Sequence, residues 1–448
     1  MRISFYGGAQ EVTGSCFLFD SGKTKILVDC GLFQCPRFCD LRSSDPFPFS
    51  PKELSAVIVT HAHIDHTGRI PKLVKEGFSG KIFSTAATKD LARLMLEDSL
   101  GVLEKEARHH SEALIYEEKD IASAFRSWEE IEYHSPVEIG DFKITLLNSG
   151  HILGSAMVAI EQNGKKIVLT GDLGNPPTPL LGDPEKVRDA TVLIIESTYG
   201  DRAHDDRGTR QLKLERVIED AVRRKGVLMI PAFSLERTQE LLAEIDDLLT
   251  SGRIPAVPVF VDSPLAIKAT AVYRKYEKYF NTEAHRKIKS GDDMLHFQGL
   301  KFTLTTEESK AINEVRPPKI VIAGSGMSTG GRILHHEKRY LPDPNSTLLM
   351  VGYQAAGSLG RMLQDGAGEV VIHQERIPVR AKIETLAGYS SHPDREALLE
   401  FVANTKDTLQ KVFAIHGEPA SSLFLVQRVR DYFGIEAAAP RYGESYEV

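Results

Sequence analysis

The sequence predicts an α/β protein in which a doubly wound α/β unit is inserted into another α/β unit. Short apolar runs alternate with longer amphipathic stretches along most of the chain, the pattern of strands alternating with helices. After about residue 200 the pattern becomes more regular, strand and helix following each other as in an open parallel sheet. From about Pro378 the earlier style resumes. The expected division is therefore 1–200 and 378–448 for the outer unit and 201–377 for the insertion.

In chain order, Met1 to Gly8 reads as a strand entering a Gly turn. Further strands are expected at Lys25 to Val28, Ala56 to Thr60, Lys81 to Ser84, Ile144 to Leu147, Lys166 to Thr170 and Val192 to Ile195, each ending at small or polar residues. Lys89 to Leu103 carries apolar residues near the 3.6-residue period and reads as a helix, and Ser111 to Glu130 as a more polar surface stretch. In the insertion, a charged turn-rich segment leads into a helix ending near Arg224. Strands at Val227 to Ile230 and Val257 to Val261 then alternate with helices at Leu235 to Leu249 and Ile267 to Tyr279. The strand Lys319 to Ala323 opens into a Gly-rich loop and a helix, and Thr347 to Val351 closes the set. Strands at Arg380 to Thr385 and Lys411 to Ile415, around a helix from Pro393 to Val402, return to the outer unit.

The 448 residues suffice for two domains, and 42% hydrophobic with 26% charged residues is the composition of a soluble globular protein. No run of about 18 apolar residues indicates a membrane span, and the N-terminus lacks the features of a signal peptide. No membrane association and a cytoplasmic location are the default expectations. The net charge of −7 argues against a protein that coats nucleic acid through a broad basic surface. It leaves room for a nuclease, since a local groove and bound cations attract phosphate despite a negative total. The four cysteines, Cys16, Cys30, Cys35 and Cys39, fit no common zinc-finger spacing and read as reduced thiols.

The most informative stretch is Thr60-His61-Ala62-His63-Ile64-Asp65-His66, on the loop after a predicted strand. Three imidazoles and a carboxylate in six positions suit a borderline metal such as zinc. In an extended segment alternate residues face the same way, so His61 and His63 can address one ion, and Asp65 with His66 a second. This H-x-H-x-D-H stretch is similar to the signature of the metallo-β-lactamase fold. The resemblance continues in order through Asp29, which closes a predicted strand, His151 in Ser149-Gly150-His151, and Asp172 in Thr170-Gly171-Asp172. It implies an αββα sandwich holding two zinc ions per chain. His61, His63 and His151 would hold the first, Asp65 and His66 the second, with Asp172 bridging. Asp29 would orient the ligands from behind, or else serve only as a strand-end cap.

Three further motifs resemble those of the β-CASP family. They are Glu196-Ser197-Thr198-Tyr199-Gly200, Gly388-Tyr389-Ser390-Ser391-His392 and Ile415-His416-Gly417-Glu418. The inserted segment looks like the family's cassette at Pro231-Ala232-Phe233-Ser234 with Arg237, at Asp262-Ser263-Pro264, and at Gly324-Ser325-Gly326-Met327-Ser328. The insertion is thus identified as a β-CASP domain, and the whole resembles the compact bacterial ribonucleases of the family, without the added domains of other members. By the same match His416 completes the second zinc's ligands, and a histidine in that motif goes with RNA rather than DNA. The expected activity is hydrolysis of single-stranded RNA, endonucleolytic, leaving 5′-phosphate and 3′-hydroxyl ends. Asp65 and Asp172 would orient the attacking hydroxide, and His392 would protonate the departing oxygen with Glu196 raising its pKa. If the insertion is a separate domain, the expected zinc site lies at the bottom of an interdomain cleft that admits a single strand and excludes a duplex.

Several weaker candidates accompany these. Arg237, Lys268, Ser325, Ser328 and Arg332 are candidate RNA contacts, although the Gly-rich loop reads equally well as a tight turn of the core. Phe233 and Tyr353 could stack on bases, core packing being the commoner fate of such residues. The adjacent pairs His109-His110 and His335-His336 point about 100° apart on a helix and read as surface residues. Two rival classes stay open: a metallo-hydrolase of another ester, and a scaffold that binds RNA or a partner without cleaving it. A homodimer is among the expected assemblies.

Overall fold

The computed structural model describes every residue except 35–39, 205, 206 and 387. Cys35, Cys39 and the stretch between them lie outside the described residues. The chain divides into two compact units. The first comprises Met1–Pro176, Gly182–Ala203 and Ser391–Val448, the second Pro177–Leu181 and His204–Ser390. The second unit thus runs past residue 377. The strand Lys382–Thr385, expected in the outer unit, pairs in parallel with Thr347–Met350 as the edge of the inserted sheet. A short strand shows in its own residues that it is a strand, but not which sheet receives it.

The first unit is built on two seven-stranded sheets. One has the order Ser445–Glu447, Arg2–Phe5, Phe17–Asp20, Lys25–Val28, Ala56–Ile58, Lys81–Ser84, Trp128–Glu130. The other has the order Glu436–Ala438, Lys411–Ile415, Val192–Glu196, Lys165–Leu169, Ala156–Gln162, Phe142–Asn148, Val137–Ile139. Alternate residues of both sheets meet in one core that includes Phe5, Phe17, Ile26 and Ile58 from the first and Ile144, Val158, Ile167, Ile194 and Phe413 from the second. The intervening residues of the second sheet, among them Leu193, Ile195 and Val412, pack with Leu398, Leu425 and Val429 of the helices Arg395–Ala403 and Pro419–Phe433. Leu27, Val57 and Ile82 of the first sheet are also fully buried, which requires a covering layer on that side. The helices Ile70–Lys75, Ala86–His110 and Glu118–Arg126 lie between these strands in the chain and bring their own buried Leu73, Leu91, Leu96 and Ile121. These inner strands are therefore apolar on both faces, as strands buried from two sides must be.

The stretch from Ser111 to Glu130 is not wholly the polar surface expected. Its helix buries Ile121, Ala124 and Phe125, spaced i, i+3, i+4 on one face, and Trp128 adds an edge strand through pairing with Ile82.

The second unit holds a six-stranded sheet in the order Leu300–Phe302, Val259–Val261, Lys319–Ala323, Val227–Pro231, Thr347–Met350, Lys382–Thr385. All its pairings are parallel, and β-branched and aliphatic residues fill the central strands. A two-stranded hairpin of Glu369–Ile372 and Glu375–Pro378 stands apart from it in the pairing. Among the described residues no helix is long and apolar enough to cross a membrane.

Candidate metal centre and active site

Strand direction collects the candidate residues. Lys165–Leu169, Val192–Glu196 and Lys411–Ile415 run parallel. Phe142–Asn148 has the same sense, being antiparallel to Ala156–Gln162, which is antiparallel to Lys165–Leu169. Asp172, Glu196, His416 and His151 therefore all follow or end strands at one edge of the second sheet. In the first sheet Lys25–Val28 and Ala56–Ile58 are parallel and lead to Asp29 and to His61. The backbone N–H of Ala156 donates to the carbonyl of Thr60 at 2.8 Å, joining the ligand loops of the two sheets.

Asp65 and His66 stand on the short helix Ile64–Thr67, whose outward carbonyls need partners. They find them in neighbouring loops: Leu32 N–H donates to Ile64, Ser15 to Asp65 and Cys30 to His66, at 2.8–2.9 Å. Gly31 is required by this packing, because a Cβ there would lie 1.6 Å from the Asp65 carbonyl oxygen.

The side chains form two groups with one shared member. His61 Nε2 is 3.1 Å and His151 Nε2 3.3 Å from His63 Nδ1. Both are near Asp172 Oδ2, at 3.4 and 3.6 Å. On the other side His66 Nε2 and His416 Nε2 lie 3.3 and 3.6 Å from Asp172 Oδ1, and both lie 3.8 Å from Asp65 Oδ2. Asp172 thus turns one oxygen toward each group. His66 Nε2 and Asp172 Oδ1 are buried without a hydrogen-bond partner among the described residues, a condition that costs free energy unless a cation sits between them. His61, His63, His151 and Asp172, likewise Asp65, His66 and His416, and also Asp172, Glu196 and His392, are spaced to hold a metal ion.

Buried groups behind the ligands fix the tautomers. His66 Nδ1 donates to Asp29 Oδ2 at 2.7 Å, so it is Nε2 that faces the site. Thr60 donates its backbone N–H to Asp29 Oδ1 and its hydroxyl to Oδ2, both at 2.8 Å, and that hydroxyl accepts from His61 Nδ1 at 3.0 Å. Ser15 Oγ meets His416 Nδ1 at 3.1 Å. Such partners orient metal-ligating imidazoles. Asp29 and His416 hold left-handed backbone, φ 59° and 48°, an unfavourable conformation for residues with side chains that clusters at functional sites.

The charges fit cation binding. Burial pushes the pKa of His61 and His151 well down, leaving them neutral with lone pairs to offer. His66 goes the other way: burial opposes its charge, but Asp172, Asp29 and Asp65 outweigh it and push the pKa well up. Three carboxylates around one imidazole make a place that calls for positive charge.

Next to these groups His392 Nδ1 lies 3.0 and 3.1 Å from the two oxygens of Glu196. Glu196 Oε1 also accepts from Leu173 N–H at 2.7 Å. Burial works against the imidazolium, but the Glu196 carboxylate, then Asp172 and Asp65, push the His392 pKa up to about 9. The ring lies 4.7 Å from that of His151, centroid to centroid.

Comparison with known proteins gives the family. The family model of the metallo-beta-lactamase superfamily matches residues 9–232, that of the Beta-Casp domain 238–363, and that of the Zn-dependent metallo-hydrolase RNA specificity domain 376–440. The chain belongs to the metallo-β-lactamase superfamily, in its β-CASP branch. Ribonuclease TTHA0252 of Thermus thermophilus is 36% identical over 100% of both chains. The transcription termination factor FttA of Methanocaldococcus jannaschii is 34% identical over 98% of this chain and 70% of its own length, and an RNase J-like protein of the same organism 33% over 98% of each. A crystal structure of a protein of unknown function from Enterococcus faecalis aligns with 100% of this chain and 99% of its own at a TM-score of 0.59 and 13% identity, a likeness of fold alone. As a superfamily member the chain is a metal-dependent hydrolase.

The residues expected as RNA contacts in the β-CASP unit differ in exposure and in partners. Arg237 is buried, paired with Glu240, with its guanidinium over the Tyr389 ring. Arg332 donates to Asp262 and to the carbonyls of Thr303 and Leu304. Ser328 is buried and donates to Glu337. All three side chains are held by partners within the β-CASP unit, Arg237 and Ser328 in buried positions and Arg332 partly exposed. Ser325 is half-buried, its hydroxyl accepting from Thr329 and Gly330 N–H, while Lys268 is exposed. His336 is buried rather than on the surface, its Nε2 2.7 Å from Asp262 Oδ2. Residues the sequence reading missed are Thr60 and Ser15. Thr60 stands directly before the histidine stretch, a usable signal, whereas nothing near Ser15 in the chain marks it.

Proposed function

We propose that this chain is a two-zinc ribonuclease that cleaves single-stranded RNA endonucleolytically, leaving 5′-phosphate and 3′-hydroxyl ends. The observation that carries the reading is the pair of histidine groups that Asp172 faces with one oxygen each, with the His392–Glu196 pair at their side. The nitrogen-rich donor set favours zinc over calcium or magnesium. Bound zinc would lower the pKa of water and neutralise charge on the phosphate. Asp65 and Asp172 would orient the attacking water. With Nδ1–H on Glu196, the Nε2–H of a protonated His392 is the proton delivered to the departing 3′-oxygen.

RNA as substrate is supported by the ribonuclease relatives and by the match of 376–440, which includes His392 and His416, to the RNA specificity domain. A single strand is supported by burial: Asp172 is 2% and the His392 side chain 22% exposed. A rigid A-form duplex, roughly 20 Å wide, cannot bring its backbone to atoms so enclosed. Buried free thiols at Cys16 and Cys30 fit a cytoplasmic setting.

The test is incubation of the zinc-loaded protein with labelled single-stranded RNA, blunt RNA duplex, single-stranded DNA and a generic phosphodiester. Cleavage of the RNA strand with 5′-phosphate products, and little of the duplex, is expected. Hydrolysis of the simple diester without RNA cleavage would favour a hydrolase of another substrate. RNA bound but left intact would favour a scaffold.

A further inference from the structure

In the second unit the large aromatic side chains Phe260, Tyr273 and Tyr389 are buried, but Phe233 is 45% and Tyr353 58% exposed. Single exposed apolar residues are ordinary. What sets Phe233 apart is how firmly its loop is held. Ala232 N–H donates to Ala323 O at 3.0 Å, continuing the strand pairing. The carbonyl of Phe233 accepts from Thr238 Oγ1 at 2.8 Å and that of Ser234 from Gln239 Nε2 at 3.1 Å. The loop then closes through Arg237 N–H to Leu235 O at 2.8 Å around Glu236, whose φ 61° and ψ −57° form a rare, strained three-residue turn. The ring rests on the backbone of Gly326, where a Cβ would come within 2.8 Å of its Cδ2, and a Cβ on Gly352 would be 3.8 Å from its Cε2. Two neighbouring loops thus carry glycine where the ring sits, and the rest of the ring is left in water against the hydrophobic effect.

These loops have one origin. Phe233, Gly326 and Tyr353 follow the carboxyl ends of Val227–Pro231, Lys319–Ala323 and Thr347–Met350, three adjacent parallel strands. Open parallel sheets bind ligands beyond the carboxyl ends of their strands. We propose that Phe233 is a nucleobase-stacking platform for unpaired RNA, with Tyr353 on the adjoining loop as a second stacking residue. The inference rests on the ribonuclease reading and extends it to a subsite in the β-CASP unit. An unpaired base offers a flat apolar face of the ring's own size and polar edges, and stacking tolerates any sequence. The backbone of Gly326 lies against one part of the ring and Gly352 stands beside it, and 45% of the residue stays open to a flat partner. A rigidly held aromatic side chain, with two torsions to fix, loses little entropy on binding.

The test is steady-state cleavage of a single-stranded RNA by zinc-loaded wild type and by Phe233→Ala, Phe233→Leu and Phe233→Trp. Ala and Leu should both raise KM about tenfold, in the range of one lost stacking contact, with a smaller change in kcat. Trp should restore KM to the wild-type value or below. Leu behaving like wild type would show that packing on Gly326 suffices, and an unchanged Ala variant would show that the ring meets no base. Trp failing like Ala would equally overturn the platform. Wild type that cleaves no RNA would instead remove the ribonuclease reading, and this inference with it.

Discussion

His392 and the histidines beside it share one site but answer to different neighbours. His61 and His151 turn Nε2 toward Asp172 Oδ2 and His63 Nδ1 lies beside both nitrogens, while His392 turns Nδ1 to Glu196. On the proposed reading a group so held donates a proton, although Asp172, Glu196 and His392 are also spaced to hold a metal ion. The His392→Ala variant should therefore keep its full metal content and lose roughly 10²–10⁴-fold in kcat, the share of a general acid. Elemental analysis alongside the rate decides this, and loss of metal from that variant would make His392 a ligand. At this scale the sequence was most legible where chemistry demands rare residues close together, as in His61 to His66. It was least legible for Thr60 and Ser15, whose hydroxyls matter only because the fold delivers them to His61, Asp29 and His416. Arg237 and Arg332 show the converse. Cationic side chains near a presumed RNA path look like phosphate ligands until buried carboxylates such as Glu240 and Asp262 are found to hold them.

The helix Ile333–Tyr340 shows the same limit for elements. Its period places His336 and Glu337 inward together, yet adjacent polar residues give no apolar stripe from which the buried face can be read. Glu337 is fully buried, one oxygen accepting from Ser328 and the other without a hydrogen-bond partner among the described residues. Burial pushes its pKa up to about 7, the Ser328 hydroxyl opposing. The folded-state value lies above the ordinary carboxyl value of 4.5, so the folded state binds the proton more tightly. The resulting stability is fully present below pH 4.5 and is lost as pH rises through about 7. Glu337→Gln, which keeps an acceptor for Ser328, should stabilise the β-CASP unit at pH 8 relative to its effect near pH 5, by on the order of 3 kcal/mol. Unfolding midpoints of both proteins at the two pH values measure it, and a constant offset would contradict the assignment. Strands were the more legible elements, since Lys25–Val28, Lys81–Ser84, Lys319–Ala323 and Lys411–Ile415 are short apolar runs between polar residues. Phe17–Asp20 and Ala156–Gln162 were not picked out, their buried runs lying among glycines and small residues that a local pattern reads as turns.

Across the whole molecule, resemblance carried further than periodicity. The alternation of strands and helices implies α/β layers, but the pairing of two seven-stranded sheets around a common core depends on contacts far apart in sequence. The strand Ser445–Glu447 beside Arg2–Phe5 joins the two ends of the chain and has no local signature. The site depends on the same long-range order: Asp29, His151, Asp172 and His416 meet because strands distant in sequence end at common sheet edges. The central claim is that this meeting holds two metal ions with Asp172 between them. Anomalous diffraction at the zinc edge, from crystals of protein purified without chelator, tests it most directly. Two peaks are expected, one bound by His61 Nε2, His63 Nδ1 and His151 Nε2, the other by Asp65, His66 Nε2 and His416 Nε2, with an oxygen of Asp172 on each. A single peak, or a peak bound by His392, would contradict the account.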